Sequence, residues 1–233
     1  MRINLSRDDV IKKITDVINT TFEENGFVLR RKRYYERTDS YGNTQQYEIR
    51  LSKRKGFFSL HLMLNILNVH LIKRVNSILE MVLRDESYEY PDNLDESIIE
   101  EIIKGRTTNY WLTGLTDEPK GWSGLDWKKF NVKKDEESFI WLSAFYEIED
   151  IADWKAQLLW SVELAVEWFN KTERDDDWII SNTTYPSLLL LKEKKDFEKL
   201  EERYKYLFTS SKRHTGTQIM ELELFYKYLM NIC

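Results

Sequence analysis

A chain of 233 residues with 42% hydrophobic and 14% aromatic content, 8 Gly and 3 Pro can bury a sizeable core and argues against long disordered or linker-rich stretches. One cysteine, Cys233, excludes an intramolecular disulfide and a cysteine-based metal site within one chain. The net charge of −5 is unevenly spread: residues 1–75 carry 15 Lys+Arg against 8 Asp+Glu, and the remainder carries 20 against 32. A basic front and an acidic back are explained by complementary packing within the molecule or by a basic binding face.

In chain order, residues 6–25 read as a helix. Ser6 caps it with Asp9 three positions on, and Ile11, Ile14, Ile18 and Phe22 step along one face, widened by Val10 and Val17. The helix stops at Glu24-Asn25-Gly26-Phe27, where Gly26 suits a left-handed residue and Phe27 the apolar contact after it. Phe27 to Arg37 then reads as one basic strand. The turn Ser40-Tyr41-Gly42-Asn43 leads to a second strand, Gln45 to Arg54, with Tyr47, Ile49 and Leu51 on one face and Gln46, Glu48 and Arg50 on the other. After Lys55-Gly56 a third strand, Phe57 to about Val69, presents Phe58, Leu60, Leu62, Leu64 and Ile66 on one side and Ser59, His61, Met63 and Asn65 on the other. An antiparallel meander with helices on its apolar face follows.

Residues 70–85 return to helical spacing through Leu71, Val75, Ile78 and Val82. Asn93 with Glu96 resembles a cap for a helix from Leu94 to Lys104, which Gly105 ends. Thr107 to Leu115 reads as a strand, DEPKGWSG as a loop, and Ser138 to Tyr146 as an apolar strand. Ile151 to Lys171 is an amphipathic helix carrying Trp154, Leu158, Val162, Ala165 and Phe169, with Glu147, Glu149, Asp150 and Asp153 near its N-terminus. Short helices fill the rest: Asp177 to Ser181, Ser187 to Lys194, one from Asp196 and one over Gln218 to Met230. The expected fold is α+β: an N-terminal helix, a mostly antiparallel sheet of three to five strands with helices on one face, and a helical C-terminal extension. The expected division is a sheet region over 1–146 and a helical region over 147–233.

Motifs of common chemistries are missing from the sequence. The segment Gly121-Trp122-Ser123-Gly124 lacks the glycine spacing of a nucleophile elbow, and neither a phosphate-binding glycine loop nor a dinucleotide fingerprint occurs. No cofactor is expected. The acidic clusters Glu147 to Asp153 and Asp175 to Asp177 lack calcium-loop spacing and suit a helix N-terminus and a solvated turn, so no metal is expected either. Two places stay open as sites. On the basic segment, Arg30, Lys32 and Tyr34 alternate along one face beside Arg50, a combination that suits an acidic protein surface or single-stranded nucleic acid. On the third strand, His61 and Asn65, with Trp122 from the aromatic loop, could orient a small polar ligand or act as acid and base.

The pieces ENGFVLRRKRYYER, YEIRLSKR and FFSLHLMLNI resemble, over about residues 10–85, a broad group of uncharacterised bacterial domains with a helix ending in Gly-Phe, a basic strand and an apolar strand pair. The resemblance implies a small bacterial α+β protein and brings no catalytic residues; some domains of this look serve as immunity or interaction proteins. With no apolar signal core in MRINLSRDDV and no long uncharged apolar run, a cytoplasmic protein is expected. Its leading function is non-enzymatic protein binding. A small-ligand or enzyme site near His61, Asn65 and Trp122 is the alternative, and nucleic-acid binding by the basic segment is the third reading.

Overall fold

The computed structural model describes residues 5–115, 140, 144–210 and 216–231. Helix α1 spans Arg7–Glu24. Ser6 Oγ accepts the Asp9 N–H and the Asp9 carboxylate accepts the Ser6 N–H, closing a reciprocal cap. That hydrogen bonding to Ser6 holds the exposed Asp9 carboxyl below its ordinary range. At the other end Gly26 takes φ +78° and the Phe27 N–H reaches back to the Phe22 carbonyl, as the Gly-Phe pair predicts. The buried stripe is Val10, Ile14, Thr15, Ile18 and Phe22, so Val10 takes the central place expected of Ile11.

Among the described residues six strands form the sheet: β1 (Val28–Arg30), β2 (Tyr34–Thr38), β3 (Thr44–Arg54), β4 (Phe57–Leu67), β5 (Trp111–Leu115) and β6 (Ala144–Phe145). Their order is β1-β2-β3-β4-β5, with β6 also on β4. The segment expected as one basic strand is a hairpin, β1 turning back onto β2. The register aligns Tyr35, Tyr47 and Leu64 in one row across β2, β3 and β4, and Ile49 with Leu62 in the next. All five are buried. Because alternate residues share a face, Gln46, Glu48, Arg50, His61, Met63 and Asn65 fall on the opposite side.

Helices α1 and α4 (Trp154–Lys171) cover the first face. Phe22 stacks on Tyr35 at 4.3 Å, and lies 4.8 Å from Tyr47 and 5.1 Å from Phe27. Phe27 continues to Phe169 of α4 at 5.6 Å. Tyr47 Oη is 2.9 Å from Ser161 Oγ of α4, so its buried hydroxyl is satisfied. Burial pushes the Tyr47 and Tyr35 hydroxyls well above their ordinary pKa. A 3-10 turn at Ile148–Asp150 precedes α4; Asp153, in the left-handed region at its N-terminus, makes no side-chain cap bond.

The remaining helices are α2 (Val69–Leu83), α3 (Glu96–Thr107), α5 (Asp176–Asn182), α6 (Tyr185–Glu193), α7 (Phe197–Ser210) and α8 (Gly216–Asn231). Helix α3 runs through Gly105 instead of ending there, and its N-cap is Asp95 without a side-chain bond. The chain forms two compact units that alternate along the sequence: residues 1–67 with 113–173, and residues 68–112 with 174–233. This differs from a boundary at 146/147. The physical reason lies in α2, whose Leu71, Val75, Ile78 and Val82 share a core with Leu188, Leu191, Leu222, Phe225 and Leu229 of the C-terminal helices. Helix α4 belongs with the sheet.

One polar cluster sits inside the helical unit. Arg106 donates from both terminal nitrogens to Glu221, each at 2.7 Å, and the Tyr88 and Tyr185 hydroxyls donate to the same carboxylate at 3.0 and 2.5 Å. Glu221 is 5% exposed. Burial alone would raise its pKa, but the Arg106 and tyrosine hydrogen bonds outweigh it and hold it below 4.5; burial, and then the Glu221 charge, push the Tyr88 hydroxyl up to about 12 against the opposing charge of Arg106.

Two stability outcomes follow from these packings. Phe22→Ala removes the ring at the centre of the aromatic cluster and is expected to cost about 3–5 kcal/mol, read as a lower urea midpoint. Glu221→Ala leaves the Tyr88 and Tyr185 hydroxyls and the solvent-accessible Arg106 without their shared acceptor and costs about 1–3 kcal/mol. Because the folded-state pKa of Glu221 is depressed, its contribution is present above pH 4.5 and is lost as pH falls through the folded value. Urea midpoints of wild type and Glu221→Ala should therefore converge in that acid range.

Candidate binding surface at one end of the sheet

The β1–β2 turn is where the basic segment becomes a surface. The Arg33 N–H donates to the Arg30 carbonyl at 3.1 Å, while Arg31 and Lys32 have φ of +47° and +65°. Two consecutive left-handed residues make the hairpin turn that matches strand twist. Asn and Gly favour that conformation, and an ordinary side chain costs about 1 kcal/mol there. Arg30, Arg31, Lys32 and Arg33 are all exposed. Lys32 reaches Asp8 at 3.0 Å, an exposed pair of small worth. Arg33 donates to the Tyr34 hydroxyl at 2.6 Å and lies over its ring. Among the described residues, Arg30 and Arg31 have no ion-pair partner.

This geometry corrects the expected alternation of Arg30, Lys32 and Tyr34 along one strand. Lys32 belongs to the turn, and Arg30 pairs directly opposite Tyr34 across the hairpin. Tyr34 pairs in turn with Glu48, two residues from Arg50. Arg30, Tyr34 and Arg50 thus do share a face, through strand pairing. Arg50 Nε lies 3.0 Å from Glu48 Oε1, and that hydrogen bond raises the Arg50 pKa.

The register also brings in cations that the linear reading left aside. The Ile49 N–H donates to the Arg33 carbonyl, so the β1–β2 turn lies beside β3 as that strand runs toward the β3–β4 turn. Arg54 pairs with Phe57 at that turn, where Lys55 and Gly56 have φ of +50° and +88°. Lys53 donates to the Leu5 carbonyl at 2.6 Å, beside the start of α1. Between Val28 and Lys55 the sequence holds nine cations and three acids; the two hairpins direct eight of those cations, all but Arg37, toward the same end of the sheet, with Arg54 about 17 Å beyond the level where the β1–β2 turn meets Ile49. The signal was present as the Lys53-Arg54-Lys55 turn, but only strand order shows that both turns point the same way.

The opposite sheet face is a polar ladder closed at its centre. Gln46 donates to Glu36 at 2.6 Å and Asn65 donates to Gln46 at 2.9 Å, following the cross-strand row of Glu36, Gln46 and Asn65. Asn65 is fully buried, and among the described residues its Oδ1 has no hydrogen-bond partner. His61 is exposed and pairs opposite Arg50. It stands four residues from Asn65 along β4, about 13 Å at strand rise, with buried Met63 between them. Asn65 is thus a buried ladder member and His61 a neighbour of the basic end, and the strand does not bring them together. Trp122 lies outside the described residues. Among the described residues, no group of three or more His, Cys, Asp or Glu is placed to hold a metal ion, and no helix is long and apolar enough to cross a membrane.

At the far end of the same unit a concavity of about 320 Å³ is lined by Arg37, Tyr41, Gln45, Asn170 and Glu173 among others. Arg37 donates to Gln45 Oε1 at 2.7 Å, to the Asn25 carbonyl at 3.0 Å and to Asn170 Oδ1 at 2.5 Å, and lies over the Phe27 ring. Burial lowers its pKa and the Asp39 charge opposes that shift. The guanidinium closes the C-terminal ends of α1 and α4, where a cation is favoured by both helix dipoles. Its role there is structural.

Arg37→Met leaves those three acceptors unpaired beside an open concavity. The expected cost is about 2 kcal/mol, seen as a lower thermal midpoint with faster amide exchange at the ends of α1 and α4. Comparison of the chain with protein-family models, with curated proteins and with solved structures returns no match.

Proposed function

We propose that this chain is a non-enzymatic protein whose work is to bind another protein, and that the partner presents an acidic surface to the basic end of the sheet. The observation that carries this reading is the β1–β2 turn. Four consecutive cations, Arg30 to Arg33, are displayed there, and two of them occupy left-handed positions that Asn-Gly would fill with less strain. Charge kept at a conformational cost points to recognition. Cations of one sign steer an acidic partner and fix its orientation more than they add raw affinity. An interaction or immunity-like role in a bacterial cytoplasm suits this reading and the single cysteine.

The nucleic-acid reading is weighed against the same turn. Phosphate binding needs a field of one sign along a track, and this chain is acidic overall at −5. The small-ligand reading needs His61 and Asn65 to converge, and the strand spaces them apart.

Capture experiments from native extract, run with two kinds of variant, test the proposal. Arg30→Glu with Arg31→Glu and Arg33→Glu should abolish capture of a partner that wild type retains at low salt. Arg31→Asn with Lys32→Gly should stabilise the fold by roughly 1 kcal/mol and still weaken capture about tenfold, so misfolding cannot explain the loss. Undiminished capture by both variants would overturn the reading. Tight binding of oligo-dT at low ionic strength, abolished by the same substitutions, would assign the end to nucleic acid instead.

A further inference from the structure

The charge at this end of the sheet changes sign from one side to the other, and the register gives the order. The β1–β2 turn comes first, followed by β3 with Arg50 and Arg54, and then the β3–β4 turn with Lys55. Beyond it, β4 pairs with β6: Phe58 opposes Phe145 and Ser59 opposes Ala144. Continuing that antiparallel pairing sets Tyr146 beside Phe57. Their ring centroids are 3.7 Å apart, and Phe57 is 37% exposed. Gly56, with φ +88°, lies under the same Tyr146 ring. Past Tyr146 the chain carries Glu147, Glu149, Asp150 and Asp153.

Among the described residues, both flanks hold charge that no ion pair neutralises. Glu149 pairs with Lys13 at 2.6 Å. Among the described residues, Glu147, Asp150 and Asp153 have no ion-pair partner, and neither do Arg54 and Lys55. Glu147 and Asp150 accept backbone N–H groups within the 3-10 turn, which fixes their position without cancelling their charge. The arrangement is an exposed Phe57 stacked on a half-buried Tyr146, with cations on one side and carboxylates on the other. A nucleic acid would gain from one flank and be repelled by the other. A surface of opposite flanks about an apolar centre is complementary to its own copy turned by half a revolution.

We propose that two copies of this chain pair through this end of the sheet, about a two-fold axis at Phe57 and Tyr146. Arg54 and Lys55 of each protomer then face Glu147, Asp150 and Asp153 of the other. The aromatic pairs meet at the centre, where burial is worth most, and the charges form the rim that fixes orientation. Each ion pair alone is worth little; four or more in one rim set the partner and its register. This pairing does not rest on the hetero-partner reading, because it is read on Arg54, Lys55, Phe57 and the acidic flank, not on Arg31 and Lys32.

Sedimentation equilibrium of the full chain tests it, over about 1 to 100 μM at low and high salt. The expected mass rises with concentration toward twice the 28.2 kDa of one chain, and the association weakens in high salt. Arg54→Glu with Lys55→Glu, and separately Glu147→Lys with Asp153→Lys, should each weaken self-association at least about tenfold. Mixed together, the two charge variants should recover a heterodimer near wild-type strength. Phe57→Ala should weaken pairing with all charges intact, its fold checked by an unchanged urea midpoint. A chain that stays monomeric throughout, a dimer insensitive to both charge variants, or a mixture that does not recover would each overturn the proposal.

Discussion

The rest of the sheet unit depends on Phe22 meeting Tyr35, Tyr47 and Phe27. That contact sets α1 across the first sheet face, and it admits one register only. A slip of one residue in β2 or β3 would turn Tyr35 or Tyr47 to the other side. The register in turn decides which residues stand at the hairpin ends. Core packing and surface charge are therefore one problem here: the same pairing that buries Tyr35 and Tyr47 carries Arg30–Arg33 and Arg54–Lys55 to a common end.

The two faces of the sheet are stabilised by different physics. On the first face, rings and aliphatic side chains are packed under two helices, and the polar atoms present are paired, Tyr47 with Ser161 and Gln45 with Arg37 and the Phe169 carbonyl. On the second face, Glu36, Gln46 and Asn65 form a ladder of side-chain hydrogen bonds across three strands. A ladder of this kind specifies alignment more than it adds stability, since a shifted strand would leave buried amides unpaired. Asn65 Oδ1, without a partner among the described residues, marks the end of that ladder.

Much of the sheet unit was legible in the chain. Ser6 with Asp9, the Gly26-Phe27 stop and the alternation along β3 and β4 each carry a local cause, and local causes can be read from local sequence. The β1–β2 turn was not legible, because Arg31 and Lys32 are neither Gly, Asn nor Pro and the segment kept strand-like composition throughout. The short pairing of Ala144–Phe145 with β4 could not be read either, since it joins residues far apart in sequence. The grouping of α2 and α3 with the C-terminal helices has the same origin: amphipathic spacing shows that Leu71, Val75 and Ile78 need a cover and is silent on which helix supplies it. Of the candidate site, the basic character of residues 30–33 and Arg50 was visible early. The contribution of Arg54, Lys55, Phe57 and Tyr146 became visible only with strand order.

Amide hydrogen exchange of the chain, alone and saturated with its captured partner, tests the central claim most directly. The account predicts that partner-induced protection is concentrated in the peptides covering Leu29 to Tyr34, the hairpin that presents the cations, with the helices α7 and α8 unchanged. Protection confined to those helices, with the hairpin exchanging as before, would contradict it.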